Sequence, residues 1–128
     1  MIIWPTPRPA IKTAIAILEE AFPNAVGAKF PKIRPSRYVL VSRVGGGQEN
    51  PRMDRARLLV ECWAKTIGEA ETMTSTARAA LRNAGGTTVG DVFIYGWFNE
   101  DGPVMYDDPD VSDMTRHQFT GDLSVSTR

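Results

Sequence analysis

A group of aspartates in the C-terminal third of the chain is the first place to look for metal chemistry. Carboxylate oxygens are the ligands that Ca²⁺ prefers, and four such groups lie close together in Asp107, Asp108, Asp110 and Asp113. Their spacing departs from that of an EF-hand loop, whose central glycine and terminal glutamate are missing. The surrounding residues 100–113 contain six acids and no cation. This composition favours an exposed acidic loop, and we predict no metal ion there.

The single histidine, His117, and the single cysteine, Cys62, are the next candidates for chemistry. One histidine cannot build a His-based zinc site, and a Ser/His/Asp triad requires an activated serine, for which there is no nucleophile-elbow sequence. Cys62 cannot form an internal disulfide and lies in an apolar run, which indicates a buried, unreactive thiol in a protein that folds in a reducing cytoplasm. We therefore predict that the chain is not an enzyme and holds no cofactor.

Three consecutive glycines, Gly45, Gly46 and Gly47, raise the question of a phosphate-binding loop. No Gly-Lys-Ser/Thr sequence follows them, and they lead into Gln-Glu-Asn-Pro at residues 48–51 rather than into a helix. Glycine-rich segments of this kind break regular structure. We predict a mobile loop over residues 45–51 that becomes ordered on assembly.

Three arginines that follow the glycines could contact nucleic-acid phosphates: Arg52, Arg55 and Arg57. The whole chain, however, has a formal net charge of zero at pH 7, and its aromatic residues concentrate in residues 92–98 rather than alternate with the cations. Sequence-specific recognition of nucleic acid is therefore not expected, although incidental contact with DNA stays open.

The composition indicates one globular domain over residues 1–128. Hydrophobic residues make up 42% of the chain and charged residues 23%, which separates it from disordered sequences. The length suits one continuous core. The apolar runs are far too short to cross a bilayer, and no basic flank with an apolar stretch marks a signal peptide, so we expect neither secretion nor membrane contact.

Hydrophobic periodicity predicts two helices and four strands. Helical spacing of apolar residues covers 11–22, and a Ser/Thr-x-x-Glu capping box at residues 66–69 starts a second helix that stops at residues 83–86. Residues 24–36 show no periodicity and are expected to be an irregular connection or a short edge segment. Alternating or β-branched runs predict strands over 37–44, 55–64, 91–99 and 117–126. The order αββαββ predicts an α+β fold in which both helices pack on one face of a four-stranded antiparallel sheet.

Positive and negative charges separate along the chain. Residues 1–60 contain ten Lys/Arg and four Asp/Glu, a net charge of +6, so residues 61–128 carry −6. Such a division can place oppositely charged faces where neighbouring subunits meet, or the charges can interleave once the chain folds. The sequence leaves both arrangements open.

Five segments of the chain carry a family resemblance. In chain order they are MIIWPTP at 1–7, PSRYVLVSRVGG at 35–46, DRARLLVECWA at 54–64, the start of a helix at Glu69-Ala70, and RHQFTGDLSV at 116–125. In this layout, which covers almost the full chain, the sequence resembles the tail terminator proteins of long-tailed, siphovirus-type bacteriophages, particularly the short versions in phages of actinobacteria. Neck, tail-completion and minor tail proteins of phages have similar folds and sequence texture.

The resemblance implies a role in assembly rather than in catalysis. It implies an antiparallel sheet with helices on one face, and a hexameric ring that caps the finished tail tube, ends its polymerisation and provides a docking surface for the head. The implied partners are other copies of the chain, the major tail tube protein and a head-neck connector protein. Genomic DNA would pass through the channel without sequence-specific binding. The implied location is the tail end or neck of a virion that is assembled in the host cytoplasm.

A ring requires two different, complementary patches on each subunit. We hypothesise that a basic patch meets an acidic patch of the next subunit and sets its orientation. The basic patch consists of Arg52, Arg55 and Arg57, and the acidic patch of Asp107, Asp108 and Asp110.

Apolar residues must supply most of the binding energy, because an ion pair at an interface rim contributes only about 1 kcal/mol. The candidates are Trp4, Met53, Phe98 and Met105. Of these, Phe98 is expected in the core rather than at the interface, and Trp4 suits either place equally.

Two other classes of function stay open. A head-closure or tail-completion neck protein would share almost the same sequence layout. A small-ligand or nucleic-acid binding α+β domain outside phage biology would instead be a monomer or dimer, with a concave pocket into which several polar groups converge.

Overall fold

The computed structural model describes residues 3–127, which form two helices and six strands. In chain order these are α1 (Ala10–Glu19), β1 (Val26–Gly27), β2 (Arg37–Asn50), β3 (Met53–Ala64), α2 (Ile67–Asn83), β4 (Thr88–Val89), β5 (Val92–Met105) and β6 (Thr115–Ser126). The strands make one sheet in the order β1-β2-β3-β6-β5-β4. β1 runs parallel to β2, and all other neighbours are antiparallel.

The prediction of a four-stranded antiparallel sheet in the order αββαββ is therefore wrong. The sheet has six strands, is mixed, and curls into a half-barrel. The two strands that the prediction lacked, β1 and β4, are two residues long, and two residues cannot display a period of two. β1 is held by tertiary pairing instead, since the Val39 backbone N–H donates to the Ala25 carbonyl at 2.8 Å.

The prediction of a mobile loop over residues 45–51 is also wrong, because β2 continues to Asn50. Gly46 has a φ of 89°, and a Cβ atom there would overlap the carbonyl oxygen of Arg55 on β3. Only glycine can bring the backbone so close to its neighbour at this φ. The glycines thus permit a bulged continuation of the strand, which shifts its register between Arg43 and Gly45.

The predicted acidic loop over residues 100–113 begins too early, since β5 extends to Met105. Its pairing with β6 shifts register between Ile94 and Gly96 and twice more before Val104. Each shift reverses the alternation of inward and outward side chains, so a period-two pattern does not continue through the strand.

The helices cover one face of the sheet, here called the inner face, and the opposite face is called the outer face. α2 starts as predicted, because the Thr66 hydroxyl accepts a hydrogen bond from the Glu69 backbone N–H at 3.2 Å. The core contributed by the helices consists largely of small or flexible side chains: Ala14, Leu18, Ala70, Met73, Ala77 and Leu81. These side chains allow a close approach to the curled sheet.

A contact between a tryptophan and a glycine joins β5 to β6 on the inner face. The Trp97 indole packs edge-to-face against the Phe119 ring at 6.1 Å between centroids. It also occupies the space that a Cβ atom at Gly121 would need. The packing of Trp97 over β6 at this point therefore depends on the missing side chain.

We predict that Gly121→Ala destabilises the fold, because the added methyl group overlaps the Trp97 ring and overpacking typically costs about 1–3 kcal/mol. The measurement is the free energy of unfolding in urea. The matched control is Gly68→Ala in the first turn of α2, where a Cβ atom meets open space and alanine should stabilise the helix by about 0.5–1 kcal/mol. Equal stability of Gly121→Ala and the parent chain would contradict this packing.

Candidate assembly surface

The outer face of the sheet carries no helix within residues 3–127 and is held together by polar networks. Its centre is Asp122 on β6, whose side chain is only 3% exposed. The carboxylate accepts hydrogen bonds from Asn99 Nδ2 at 2.9 Å and from the Arg55 and Arg57 guanidinium groups at 3.2 Å each. Arg57 also donates to the Thr120 hydroxyl at 2.9 Å. This network links β3, β5 and β6.

The charges around Asp122 keep it ionised. Burial raises the pKa of the Asp122 carboxyl, but the hydrogen bonds from Asn99, Arg57 and Arg55, together with the charge of Arg57, outweigh that effect and leave the pKa below its usual value. Arg55 makes a second ion pair, from Nε to Glu49 Oε1 at 2.6 Å. Two arginines of the hypothesised basic patch are thus already paired within the chain.

The hypothesised basic and acidic patches lie towards opposite ends of the sheet. Arg52 is exposed in the turn between β2 and β3, at the end where Met53 pairs with Ser126. Asp107, Asp108 and Asp110 follow β5 at the other end, where Ala64 pairs with Thr115. Eleven residue steps of β3 separate the ends, a distance of about 36 Å at 3.3 Å per residue. The pairing of these patches between copies stays a prediction. It requires that neighbouring copies are shifted relative to each other along the strand direction.

A second carboxylate, Glu100, is partly buried and ties β5 to α2. It accepts from Arg78 Nε at 2.8 Å, from Arg82 Nη2 at 2.6 Å and from the Trp97 indole N–H at 2.9 Å. Burial raises the pKa of Glu100, but the hydrogen bonds from Arg78 and Trp97 and the charges of both arginines bring it below its usual value. The sequence prediction placed Glu100 in an exposed loop. The spacing of Arg78 and Arg82, which places them one turn apart on α2, was the sequence signal that could have indicated a shared acidic partner.

An arginine fixes the start of the acidic segment after β5. The Arg116 guanidinium lies between the rings of Trp63 and Tyr106, 4.9 Å from each ring centroid. It donates to Glu61 Oε1 at 3.1 Å and, through Nε, to the Tyr106 carbonyl at 2.8 Å. Stacking and charge together hold residue 106 against the outer face.

The apolar interface candidates are mostly accessible. Trp4 and Met105 are each 47% exposed, and Met53 is half-buried. Phe98 is 49% exposed, so the expectation that it lies in the core is wrong. The bulge in β5 explains this position, because it turns Phe98 to the outer face while Trp97 packs inside.

Two exposed surfaces lie on opposite sides of the central strands β3 and β6. The aromatic stripe consists of Phe93, Tyr95 and Phe98 on the outer face of β5, where the rings of Phe93 and Tyr95 meet edge to face at 5.1 Å. The glycine edge consists of residues 44–47 on β2, where Val44 is 55% exposed. Neither surface was predicted from the sequence, because both depend on which strands lie at the margins of the sheet.

The single histidine and the single cysteine, which were candidates for chemistry, lie in the interior of the protein. His117 and Cys62 are opposite each other on the inner face, and both are buried. Burial, aided by the charge of Glu61, raises the pKa of the Cys62 thiol to about 12, which keeps it protonated. Within residues 3–127, no three His, Cys, Asp or Glu side chains cluster as metal ligands, and no helix is long and apolar enough to span a membrane.

A groove of about 740 Å³ lies between α1, α2 and β4. Small or uncharged residues form most of its lining, and its one charged side chain is Glu20. A small-ligand site is expected to bring several polar groups together in a mostly apolar pocket. This open groove does not have that arrangement.

Comparison with solved structures shows a fold similarity that extends over most of the chain. No protein-family model and no curated protein matches the sequence. A chain in the solved structure "Virion of native gene transfer agent (GTA) particle" has a similar fold, with a TM-score of 0.64 and 11% sequence identity. The similarity covers 93% of this chain and 99% of that chain. At this identity, it shows a shared fold.

We predict that Asp122→Asn lowers the free energy of unfolding by about 1–3 kcal/mol, because it removes the charge that Arg55 and Arg57 share. The folded pKa of Asp122 is lowered, so its ionised form favours folding. That contribution is complete above the unfolded pKa of about 3.9 and is lost as the pH falls through the folded pKa. The stability difference between parent and variant should therefore begin to shrink near pH 3.9 and close as the pH falls through the folded pKa.

The matched control is Asp101→Asn, since Asp101 is exposed and forms no ion pair within residues 3–127. Urea unfolding between pH 7 and pH 2.5 measures all three proteins. A stability difference between Asp122→Asn and the parent that stays constant over this range would contradict the lowered pKa.

Proposed function

We propose that the chain is a structural subunit of a phage-type virion, and that it forms a hexameric ring at the end of the tail tube. The ring caps the tube, ends its polymerisation and provides the docking surface for the head. The observation that carries this proposal is the fold similarity to a chain of the gene transfer agent virion, which extends over nearly the whole of both chains. Similarity of this extent involves most of the fold rather than one common motif.

The local chemistry supports a role in assembly rather than in catalysis. Glu100 and Asp122 are the acids whose pKa values are lowered, and each accepts hydrogen bonds from several donors. Carboxylates of this kind are suited to structural ion pairs rather than to proton transfer. A general acid or base near neutral pH needs the opposite shift for a carboxyl group. The Cys62 thiol is buried and protonated, which does not suit a nucleophile.

The surfaces support self-association. A closed ring with cyclic symmetry uses two different patches on each subunit, and the aromatic stripe on β5 and the glycine edge on β2 lie on opposite sides of the central strands β3 and β6. In this proposal the further partners are the major tail tube protein and a head-neck connector protein. DNA passes through the channel without sequence-specific contacts. The subunit belongs to the tail end or neck of the virion and assembles in the host cytoplasm.

A head-closure or tail-completion subunit is the alternative that the experiment must separate, because the same similarity to a virion chain supports it. The two roles differ in the object that the ring binds. A tail terminator binds the open end of a tail tube, whereas a head-closure protein binds the head connector.

We predict a solution mass near that of a hexamer, about 85 kDa for subunits of 14.1 kDa, in light scattering after size-exclusion chromatography at moderate salt. Added to purified tube protein of the same virion during polymerisation, the chain should bind tube ends and stop elongation. Purified heads serve as the comparison surface. Binding to heads but not to tubes would favour the neck alternative, and binding to neither would contradict both roles.

A further inference from the structure

We propose that residues 28–36 form a lid on the outer face of the sheet, and that this lid opens and closes while the strands beneath it stay folded. The lid covers Tyr38 and Trp63, and Asp113 stabilises its closed form in a salt-sensitive way. The lid belongs to the single chain, so this inference goes beyond the proposed ring and does not depend on it.

The lid has little backbone structure of its own. It contains no helix or strand, and no hydrogen bond joins its backbone to another backbone group in the part of the chain that the structure describes. Pro31 and Pro35 have no N–H to donate. All residues of the lid are exposed except Phe30 and Pro35, which are half-buried. Segments with so few backbone hydrogen bonds open at a lower free energy than paired strands do.

One aromatic ring anchors the lid near its first residue. Phe30 packs against Tyr38 at 5.4 Å and edge to face against Trp63 at 5.2 Å between ring centroids. The Tyr38 hydroxyl donates to the Lys29 carbonyl at 3.0 Å. The same hydroxyl lies where a Cβ atom at Gly27 would be, so the residue that leads into the lid must be small. These contacts place the lid over the outer face of β2 and β3.

An ion pair holds the other end of the lid. Arg34 donates to one carboxylate oxygen of Asp113, in the segment between β5 and β6, and the Lys65 Nζ atom lies 3.7 Å from the other oxygen. The three side chains are 42%, 51% and 54% exposed. Ion pairs with this much exposure contribute little to stability and are screened by salt. Asp113 therefore stabilises the closed lid only weakly, and less so at high ionic strength.

The closed lid leaves one polar group unsatisfied. Trp63 is 3% exposed, and its indole N–H has no hydrogen-bond acceptor among residues 3–127. A buried donor without a partner raises the free energy of the closed form, whereas opening lets water accept this hydrogen bond. The loss of the Phe30 contacts opposes opening, and the gain at Trp63 offsets part of that loss. The open form is consequently closer in free energy to the closed form than the apolar contacts alone would allow.

The lid decides which groups this end of the outer face presents. Tyr38 pairs with Trp63, and Trp63 with Arg116, so the covered rings and a cation lie side by side on three strands. The Arg116 guanidinium lies 4.9 Å from the Trp63 ring centroid and also stacks on Tyr106. A closed lid presents its own lysines and arginine to solvent. An open lid presents aromatic rings and an indole donor instead.

The competing arrangement is a segment that is a fixed part of the fold and opens only when the whole chain unfolds. Limited trypsin digestion separates the two, with initial rates measured by mass spectrometry. The Lys29–Phe30 bond can enter the protease only when Phe30 leaves its aromatic neighbours. The Arg57–Leu58 bond lies in β3, which is paired on both sides, so its cleavage requires global unfolding.

We expect cleavage after Lys29 to be about tenfold or more faster than cleavage after Arg57, because local opening costs less than unfolding of the sheet. Equal rates at the two bonds would show that the lid opens only with the whole chain, and would overturn the inference.

Asp113→Asn tests the ion pair. At low salt it should accelerate cleavage after Lys29 about two- to fivefold, since an exposed ion pair contributes this much at most. Raising the salt to about 0.5 M should bring the parent chain to the rate of the variant and leave the variant nearly unchanged. The matched control is Asp101→Asn, which removes an exposed carboxylate that forms no ion pair within residues 3–127. Equal rates for the two variants would overturn the role of Asp113.

The indole N–H signals in NMR spectra give an independent readout. Phe30→Ala should shift the Trp63 signal and speed its hydrogen exchange with water, because the ring loses its cover. The Trp97 indole, which donates to Glu100 Oε1 at 2.9 Å, is the internal reference and should not change. Phe30→Leu keeps an apolar anchor and replaces the alanine variant if that variant does not fold. An unchanged Trp63 signal would overturn the lid, and so would equal changes at both indoles, since the substitution would then act through the whole fold.

Discussion

The uninterrupted pairing of β3 with β6 is the constraint on which the rest of the structure depends. Twelve consecutive residues of each strand are in register without a bulge, from Met53 with Ser126 to Ala64 with Thr115. The core alternates strictly along both strands, so a slip by one residue would expose Leu58, Val60 and their partners. All register shifts lie outside this pair, in the contacts that β2 and β5 make with it. The pairing of β3 with β6 thus fixes the position, along the strand axis, of the residues on the flanking strands β2 and β5.

The sequence predicted the parts of the fold that have a clear local signal. Periodicity located both helices and the four long strands, and the capping box at Thr66 and Glu69 marked the start of α2. It could not predict β1 and β4, whose two residues depend on tertiary hydrogen bonds. Nor could it predict that the triple glycine continues a strand, since the deciding fact is the distance to the Arg55 carbonyl.

The candidate assembly surface was harder to predict from the sequence than the fold. Arg55 and Arg57 were identified as charged, but their partner Asp122 lies more than sixty positions along the chain, so only the paired strands reveal that they are engaged. Phe98 has the composition of a core residue and lies outside because a bulge precedes it. In both cases the missing information is pairing across the sheet. The polar networks of Asp122, Glu100 and Arg116 hold the strands in place, and they leave the apolar rings at the margin free to contact other molecules.

The bulge between Ile94 and Gly96 has a consequence for sequence divergence. Tyr95 is the extra residue, so a single-codon deletion of it would remove the bulge and leave Trp97 inside and Phe98 outside with the same partners on β6. The pairing of β3 with β6 admits no such event, whereas the outer strands can gain or lose a residue and present a new set of side chains over an unchanged core. Evolution by this route would change the exposed margin quickly and the backbone slowly. Divergence of this kind would leave a recognisable fold at a sequence identity as low as 11%.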